Sequence, residues 1–179
     1  MTERGSTMNY ELRRWKIDDA PKLALCANNK KIADNLRDAY PHPYTEADAR
    51  AYIESCLAAG EEQQYTRAIF VEGEIAGSIG VFFGRDVYRR SGELGYWLAE
   101  PFWGKGVMSG AVREICRYLF ETTGIVRIFA EPYAHNIGSR RVLEKSGFVL
   151  EGIMRSGVWK NNTLFDYCMY ALLKDIHRS

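Results

Sequence analysis

The chain has little of what would point to several common functions. Its four cysteines, Cys26, Cys56, Cys116 and Cys168, are scattered with no CxxC pair, and so are its three histidines, His42, His135 and His177. That spacing argues against a metal site or a disulfide framework and reads as buried free thiols in a reducing cytosol. No apolar run approaches the ~18 residues of a membrane span, so no membrane partner is expected. Opposite charges nearly cancel, to a formal net charge of +1, and nucleic acid is not the expected partner without a basic field. Two phosphate-binding signatures are missing as well. Gly104, Gly106 and Gly110 lack GxGxxG spacing, and no glycine loop ends in Gly-Lys-Ser/Thr. Residues 1–7 are polar and lack the apolar stretch of a secretory signal, so they read as a disordered leader or an expression scar on a cytoplasmic protein.

What is present suits one domain over residues 8–175. A chain of 179 residues with 46% hydrophobic content can bury a sizeable core. Alternation marks a strand over residues 9–15. A helix follows from Asp18 or Asp19 to about Asn28, with Pro21 in its first turn. Residues 30–36 suggest a short helix, and two prolines make residues 38–44 a loop. Thr45 opens a helix that Gly60 stops. A period of two then gives a hairpin over residues 67–83, turning at Glu72-Gly73-Glu74, and a strand over Glu93–Ala99. A helix over 105–123 follows, with Met108, Ala111, Val112, Ile115, Cys116, Leu119 and Phe120 on one face. A short strand over 125–130, a helix over 136–146 and an antiparallel pair over 148–157 and 163–173 complete the order. That is an α/β (α+β) fold: a mixed, mostly antiparallel sheet of about seven strands with helices on both faces. The strands over 93–99 and 125–130 flank a helix and should be parallel.

The segment Pro101-Phe-Trp-Gly-Lys-Gly-Val-Met-Ser-Gly110 stands between a strand and a long helix. The first N–H groups of a helix have no partner within it, and the helix dipole adds partial positive charge there. Gly104 and Gly106 remove the Cβ atoms that would hold a diphosphate off the backbone. An ordinary strand-to-helix connection has the same look.

Three stretches together resemble the GNAT N-acetyltransferase superfamily, in its RimJ/RimL-type branch of ribosomal-protein N-terminal acetyltransferases. They are Gly92-Glu-Leu-Gly-Tyr-Trp-Leu98 with Trp103-Gly-Lys-Gly-Val-Met108, Asn136-Ile-Gly-Ser139 with Val142-Leu-Glu-Lys-Ser-Gly-Phe148, and Leu150-Glu-Gly152. The resemblance runs from Asn9 to about Asp175. It implies a single-domain acyl-CoA N-acyltransferase fold, acetyl-CoA as cosubstrate and no metal. Pantetheine would pair with the backbone of Trp97, Leu98 and Ala99, in a gap between two parallel strands. The diphosphate would meet the amides of Gly104, Lys105, Gly106, Val107, Met108 and Ser109. Asn136 would bond pantetheine while capping its helix, and Lys105, Arg140 and Arg141 are candidates for the phosphate charges. The chain departs from the superfamily pattern at Trp103, where Gln or Arg is usual, and at Met108, where Gly or Ala is.

Acetyl transfer needs a neutral amine, a stabilised oxyanion and a leaving thiolate. The resemblance implies Glu93 as the base, acting through ordered water, and Ser139 as the group that protonates the thiolate. Many superfamily members use a tyrosine a few residues further on, but none stands at 143–145. A surface glutamate and a helix-capping serine are the plain alternatives. The loop 35–44, Tyr133-Ala-His135 and the hairpin with Trp159 would wall the acceptor site, with Tyr40, Tyr44, Tyr88 and Tyr133 supplying rings. No acidic cluster in that loop calls for a polycation. The expected activity is acetyl transfer to a primary amine, either a protein N-terminal α-amine such as that of a ribosomal protein, or a small amine, through a ternary complex. A homodimer is expected by resemblance alone. An acyl-CoA-binding sensor and a non-catalytic member of the fold are the competing readings.

Overall fold

The computed structural model describes residues 8–175, so the leader expected over residues 1–7 lies outside the described residues. The elements follow the order β1 (Tyr10–Arg13), α1 (Ala20–Ala27), α2 (Lys30–Ala33), α3 (Glu46–Ala58), β2 (Gln64–Val71), β3 (Glu74–Phe83), β4 (Ser91–Leu98), α4 (Val107–Thr122), β5 (Arg127–Ala130), α5 (Ile137–Lys145), β6 (Val149–Lys160) and β7 (Thr163–Leu173). All seven strands join one sheet in the order β1-β2-β3-β4-β5-β7-β6. Only β4 and β5 run parallel; the other neighbours are antiparallel.

Local chemistry accounts for the boundaries. Thr45 and Asp48 form a reciprocal cap on α3: the Thr45 N–H donates to Asp48 Oδ2 at 2.8 Å and the Asp48 N–H to Thr45 Oγ1 at 3.2 Å. Asp19 does not cap α1 with its side chain, because its carboxylate accepts from the Lys16 N–H at 2.9 Å and closes a 3-10 turn over Ile17–Asp19. The short helix expected over residues 30–36 ends at Ala33, started by Asn29 accepting from the Lys31 N–H. Glu72 and Gly73 both take positive φ, the geometry of a tight hairpin turn.

Helices cover both faces. On one, α1 and α3 bury Leu23, Ala27, Ala49 and Ile53 against Ala68, Phe70 and Ile75, with Trp97 packed at the edge. On the other, α4 buries Val107, Ala111, Val112, Ile115 and Leu119 against Ile69, Ile79, Val81 and Leu94, with Leu143 of α5 alongside.

The feature that matters for function is where the parallel pair comes apart. Only Ser91, Gly92 and Glu93 of β4 are in register with β5, opposite Arg127, Ile128 and Phe129. Beyond Ala130 the chain stays with β7 instead. Pro132 O accepts from the Cys168 N–H at 2.9 Å, the Ala134 N–H donates to Asp166 O at 2.8 Å, and Tyr133 bridges to Tyr167. Pro132 has no N–H to offer β4. The stretch Leu94–Leu98 therefore keeps its bonds to β3 and has no strand partner on its other edge.

Candidate active site

A cleft of about 1990 Å³ passes through that opening and reaches both faces of the sheet. Its lining joins the glycine turn before α4 and the start of α5 to Glu93, Trp97 and the loop around Tyr40.

The phase of the β3–β4 ladder decides which backbone groups face the gap. The Ala99 N–H donates to Ala76 O at 2.7 Å and the Gly84 N–H to Ser91 O at 2.8 Å. Bonding alternates along an antiparallel ladder, so Glu93, Gly95, Trp97 and Ala99 turn their peptide groups toward β3. Those of Leu94, Tyr96 and Leu98 turn toward the gap. This corrects the expected trio. Trp97 and Ala99 are spent on β3, and Leu98 O accepts from the Trp103 indole N–H at 2.6 Å. What the gap offers is the Leu98 N–H and the peptide groups of Tyr96. Trp103, one of the two residues that depart from the superfamily pattern, thus ties the glycine turn to the end of β4.

Gly104 and Gly106 both have positive φ, +74° and +79°, and Gly106 is the N-cap of α4. An L side chain is strained there, so glycine is required by the backbone itself. The first helical bond is from the Gly110 N–H to Gly106 O at 3.0 Å. The amides of Gly106, Val107, Met108 and Ser109 precede it and have no partner within the helix, and these residues line the cleft. Both Lys105 and Arg141 are exposed; Arg141 lines the cleft, whereas Lys105 does not and its ammonium lies 5.9 Å from the centre of the Phe102 ring. Arg140 is not available there, because its guanidinium donates to the Tyr170 hydroxyl at 3.2 Å and to Ala134 O at 3.0 Å.

Glu93 is the last residue of β4 in register with β5, and it sits where the strands part. Arg37 pairs with it, and the same guanidinium lies 3.1 Å from Glu131 Oε2. The Glu131 carboxyl is raised above the ordinary range, by burial first and the nearby Glu93 charge second. Tyr133 fixes this corner by donating its hydroxyl to Leu36 O at 3.1 Å.

Ser139 is the third helical residue of α5. Asn136 caps the helix by accepting from the Ser139 N–H at 3.1 Å, which leaves the Asn136 side-chain NH2 for another acceptor. The Ser139 hydroxyl lies 2.9 Å from the Tyr96 hydroxyl, which also donates to Ser139 O at 3.2 Å. Burial raises the Tyr96 phenol well above its usual range. It therefore stays protonated and holds the serine in place.

The family is decided by comparison with known proteins. A model of the Acetyltransferase (GNAT) domain matches residues 9–149. The chain belongs to the GNAT acetyltransferase family. Among relatives of this GNAT domain, the "probable N-acetyltransferase YjcK" of Bacillus subtilis (strain 168) is 34% identical over 167 residues, 90% of this chain and 92% of that protein. The ribosomal-protein-serine acetyltransferase of Escherichia coli (strain K12) is 30% identical over 108 residues, 60% of this chain and 59% of its own. Coverage is partial for other relatives too: the match spans 57% of YdaF and 56% of YoaA, both of B. subtilis. A solved RimL, a ribosomal L7/L12 α-N-protein acetyltransferase in complex with coenzyme A, superposes with a TM-score of 0.84 at 25% identity, covering 96% of this chain and 97% of that one. The microcin C7 self-immunity acetyltransferase MccE, at 22% identity and a TM-score of 0.82 over 97% of this chain and 98% of its own, shares the fold.

Most of the residues expected to wall an acceptor site border the cleft. Tyr40, Tyr44, Tyr133, His135 and Trp159 line the cleft. Tyr88 does not; it is exposed on a 3-10 turn over Asp86–Tyr88. Sequence reasoning missed Arg37, Tyr52, Ser78, Tyr96 and Glu131. Tyr96 lies inside the quoted strand motif, and a count of strand phase would have aimed it at Ser139. Glu131 comes from a segment with no pattern of its own, and Arg37 from the loop 35–44, where the rings drew notice and the arginine did not. Cys26 and Cys56 are half-buried, whereas Cys116 and Cys168 are buried, and none lines the cleft. Burial pushes the thiols of Cys26 and Cys116 up to about 12. Among the described residues there is no cluster able to hold a metal, and no helix is long and apolar enough to cross a membrane.

Proposed function

We propose that this protein transfers the acetyl group of acetyl-CoA to a primary amine by direct attack in a ternary complex. The observation that carries the reading is the opening between β4 and β5, where the Leu98 N–H, the amides of Gly106–Ser109, Glu93 and Ser139 share one cleft. A thioester carrier laid along it would place its diphosphate at the positive end of α4, near Lys105 and Arg141. Its pantetheine would run past the Tyr96 and Leu98 peptide groups and the Asn136 amide.

The chemistry follows from the residues at the far end. Glu93, assisted by the adjacent Glu131, takes a proton from the ammonium through ordered water. A direct transfer is a poor match, since an alkylammonium near pKa ~10 lies far above a carboxylate near ~4. The neutral amine nitrogen bonds to the thioester carbon, giving a tetrahedral oxyanion. Collapse breaks the C–S bond; the nitrogen passes the excess proton it gained on attack to the ordered water as the amide forms, and the sulfur leaves with its charge met by the Ser139 hydroxyl. No cysteine borders the cleft to form an acetyl-enzyme, which supports direct transfer. An acceptor of the protein N-terminus class is what the RimL name states for that relative, and the Tyr40, Tyr44 and Trp159 rings line the cleft that would receive it. A homodimer has its support in the exposed Val149, Ile153, Leu164 and Leu173 of the β6–β7 hairpin. The chain would work in the cytoplasm, where acetyl-CoA and nascent ribosomal proteins are found together.

Titration calorimetry with acetyl-CoA, followed by CoA release with peptides bearing ribosomal-protein N-termini and with small amines, tests the reading. Binding with turnover is expected; no acetyl-CoA binding would remove it. Glu93→Gln should lower kcat by about 10²- to 10⁴-fold and leave acetyl-CoA affinity unchanged.

A further inference from the structure

Gly95 has no structural reason to be glycine. It lies inside β4 with no positive φ, where glycine weakens a strand and where such a residue often marks the close approach of a ligand. A methyl on its Cα would touch only Phe82 Cε2, at 3.6 Å, an ordinary contact. The cross-strand partner differs. A Cβ on Gly80 would strike Thr66 Cγ2 at 2.7 Å, so packing requires that glycine.

The surroundings show what the bare backbone serves. Ser78, Gly80 and Phe82 of β3 stand opposite Trp97, Gly95 and Glu93 of β4, so all six share one sheet face. All six line the cleft, and Asp48, Ala51, Tyr52 and Ser55 of α3 line it from across. Tyr52 ties α3 to this floor through its hydroxyl, 2.7 Å from Ser78 Oγ. The result is a shallow slot with Gly95 at its base, the rings of Phe82 and Trp97 at its sides and the Glu93 carboxylate at its rim.

We propose that Gly95 sets the size limit of the acceptor. The carbon that bears the reacting amine, with its first substituent, lies over Gly95 between Phe82 and Trp97, and its nitrogen points to Glu93. The ligand class is a primary amine whose α-substituent packs flat on the sheet, as the first side chain of a peptide N-terminus would. This rests on the acetyl-transfer reading.

The experiment compares wild type with Gly95→Ala on hexapeptides that differ only in their first residue: Gly, Ala, Ser, Leu or Phe. CoA release, acetyl-CoA affinity and the thermal midpoint are measured together. The added methyl should cut kcat/KM by about 10- to 200-fold for the bulkier first residues the wild type accepts. It should leave Gly-initiated peptide within about threefold and acetyl-CoA affinity unchanged, with the midpoint level or slightly raised, since glycine weakens a strand interior. An equal loss on every peptide, or no loss on any, overturns the size limit and leaves acetyl transfer standing. A wild type that binds acetyl-CoA yet acetylates none of the peptides overturns the slot as an N-terminus site. One that binds no acetyl-CoA fails at the reading beneath it.

Discussion

At the scale of single residues, two hydroxyls and two carboxylates meet at the cleft. Tyr96 and Ser139 hold each other at 2.9 Å. Tyr96→Phe removes both bonds between the phenol and Ser139 and should cost about 1–3 kcal/mol of stability in urea unfolding, at about 0.5–1.5 kcal/mol for each internal hydrogen bond. It should lower kcat less than Ser139→Ala does, because the serine hydroxyl remains. A phenylalanine variant slower than the alanine one would show that the tyrosine itself meets the sulfur. Arg37 holds Glu93 and Glu131 as a charge pair, and it is two-thirds exposed, so its contribution to stability is small. Its contribution to ionisation is larger. Without it the two carboxylates repel unscreened, and the Glu131 carboxyl, already raised by burial, rises further. A base works only when deprotonated, so Arg37→Ala should lose more activity near pH 6 than near pH 8. Parallel pH profiles for the variant and wild type would count against it.

At the scale of elements, the glycine turn before α4 is the sharpest test. Gly106 holds φ at +79° as the helix N-cap. Gly106→Ala should cost about 1–2 kcal/mol, the penalty of a left-handed L residue, and should weaken acetyl-CoA binding by moving the first amides of α4. Chemical denaturation and calorimetry on the same sample check both. A stable variant with unchanged affinity would mean the diphosphate is held elsewhere. The start of α5 works differently. There the Asn136 side chain satisfies the Ser139 amide, so that helix end presents a hydroxyl and a carboxamide in place of bare N–H groups.

At the scale of the whole molecule, one sheet opens in one place, and the cleft there reaches both of its faces. Charge pairing over the surface sets its response to acid. The carboxyls of Asp34, beside Lys30, Asp48, bonded by Thr45, Glu61, beside Arg67, Glu100, beside Lys31, and Glu151, beside Arg127, all lie below their ordinary values. Each stabilises the fold above its unfolded value, near pH ~4, and that gain is lost as pH falls through the folded value. Glu131 runs the other way: its raised value favours the fold at low pH, and the gain is lost as pH rises through it. Five against one should give a thermal midpoint that drops as pH falls from about 5 to about 3. A midpoint flat across that window would mean that the pairs do not persist in solution.

The sequence by itself determined the order of elements, the strand motif from Gly92, the glycine turn and the cap at Asn136. Those are local: a period of two or of 3.6, a φ only glycine adopts, a side chain reaching its own backbone. Tertiary structure decided which peptide groups of β4 face the gap, because that depends on the phase of the ladder with β3. It also turned Arg140 away from the cleft to Tyr170 and brought Arg37 and Glu131 to Glu93, from 56 and 38 residues away along the chain. The physical reason is that pairings across a sheet are set by the burial of both faces at once, and no short window of sequence contains both partners.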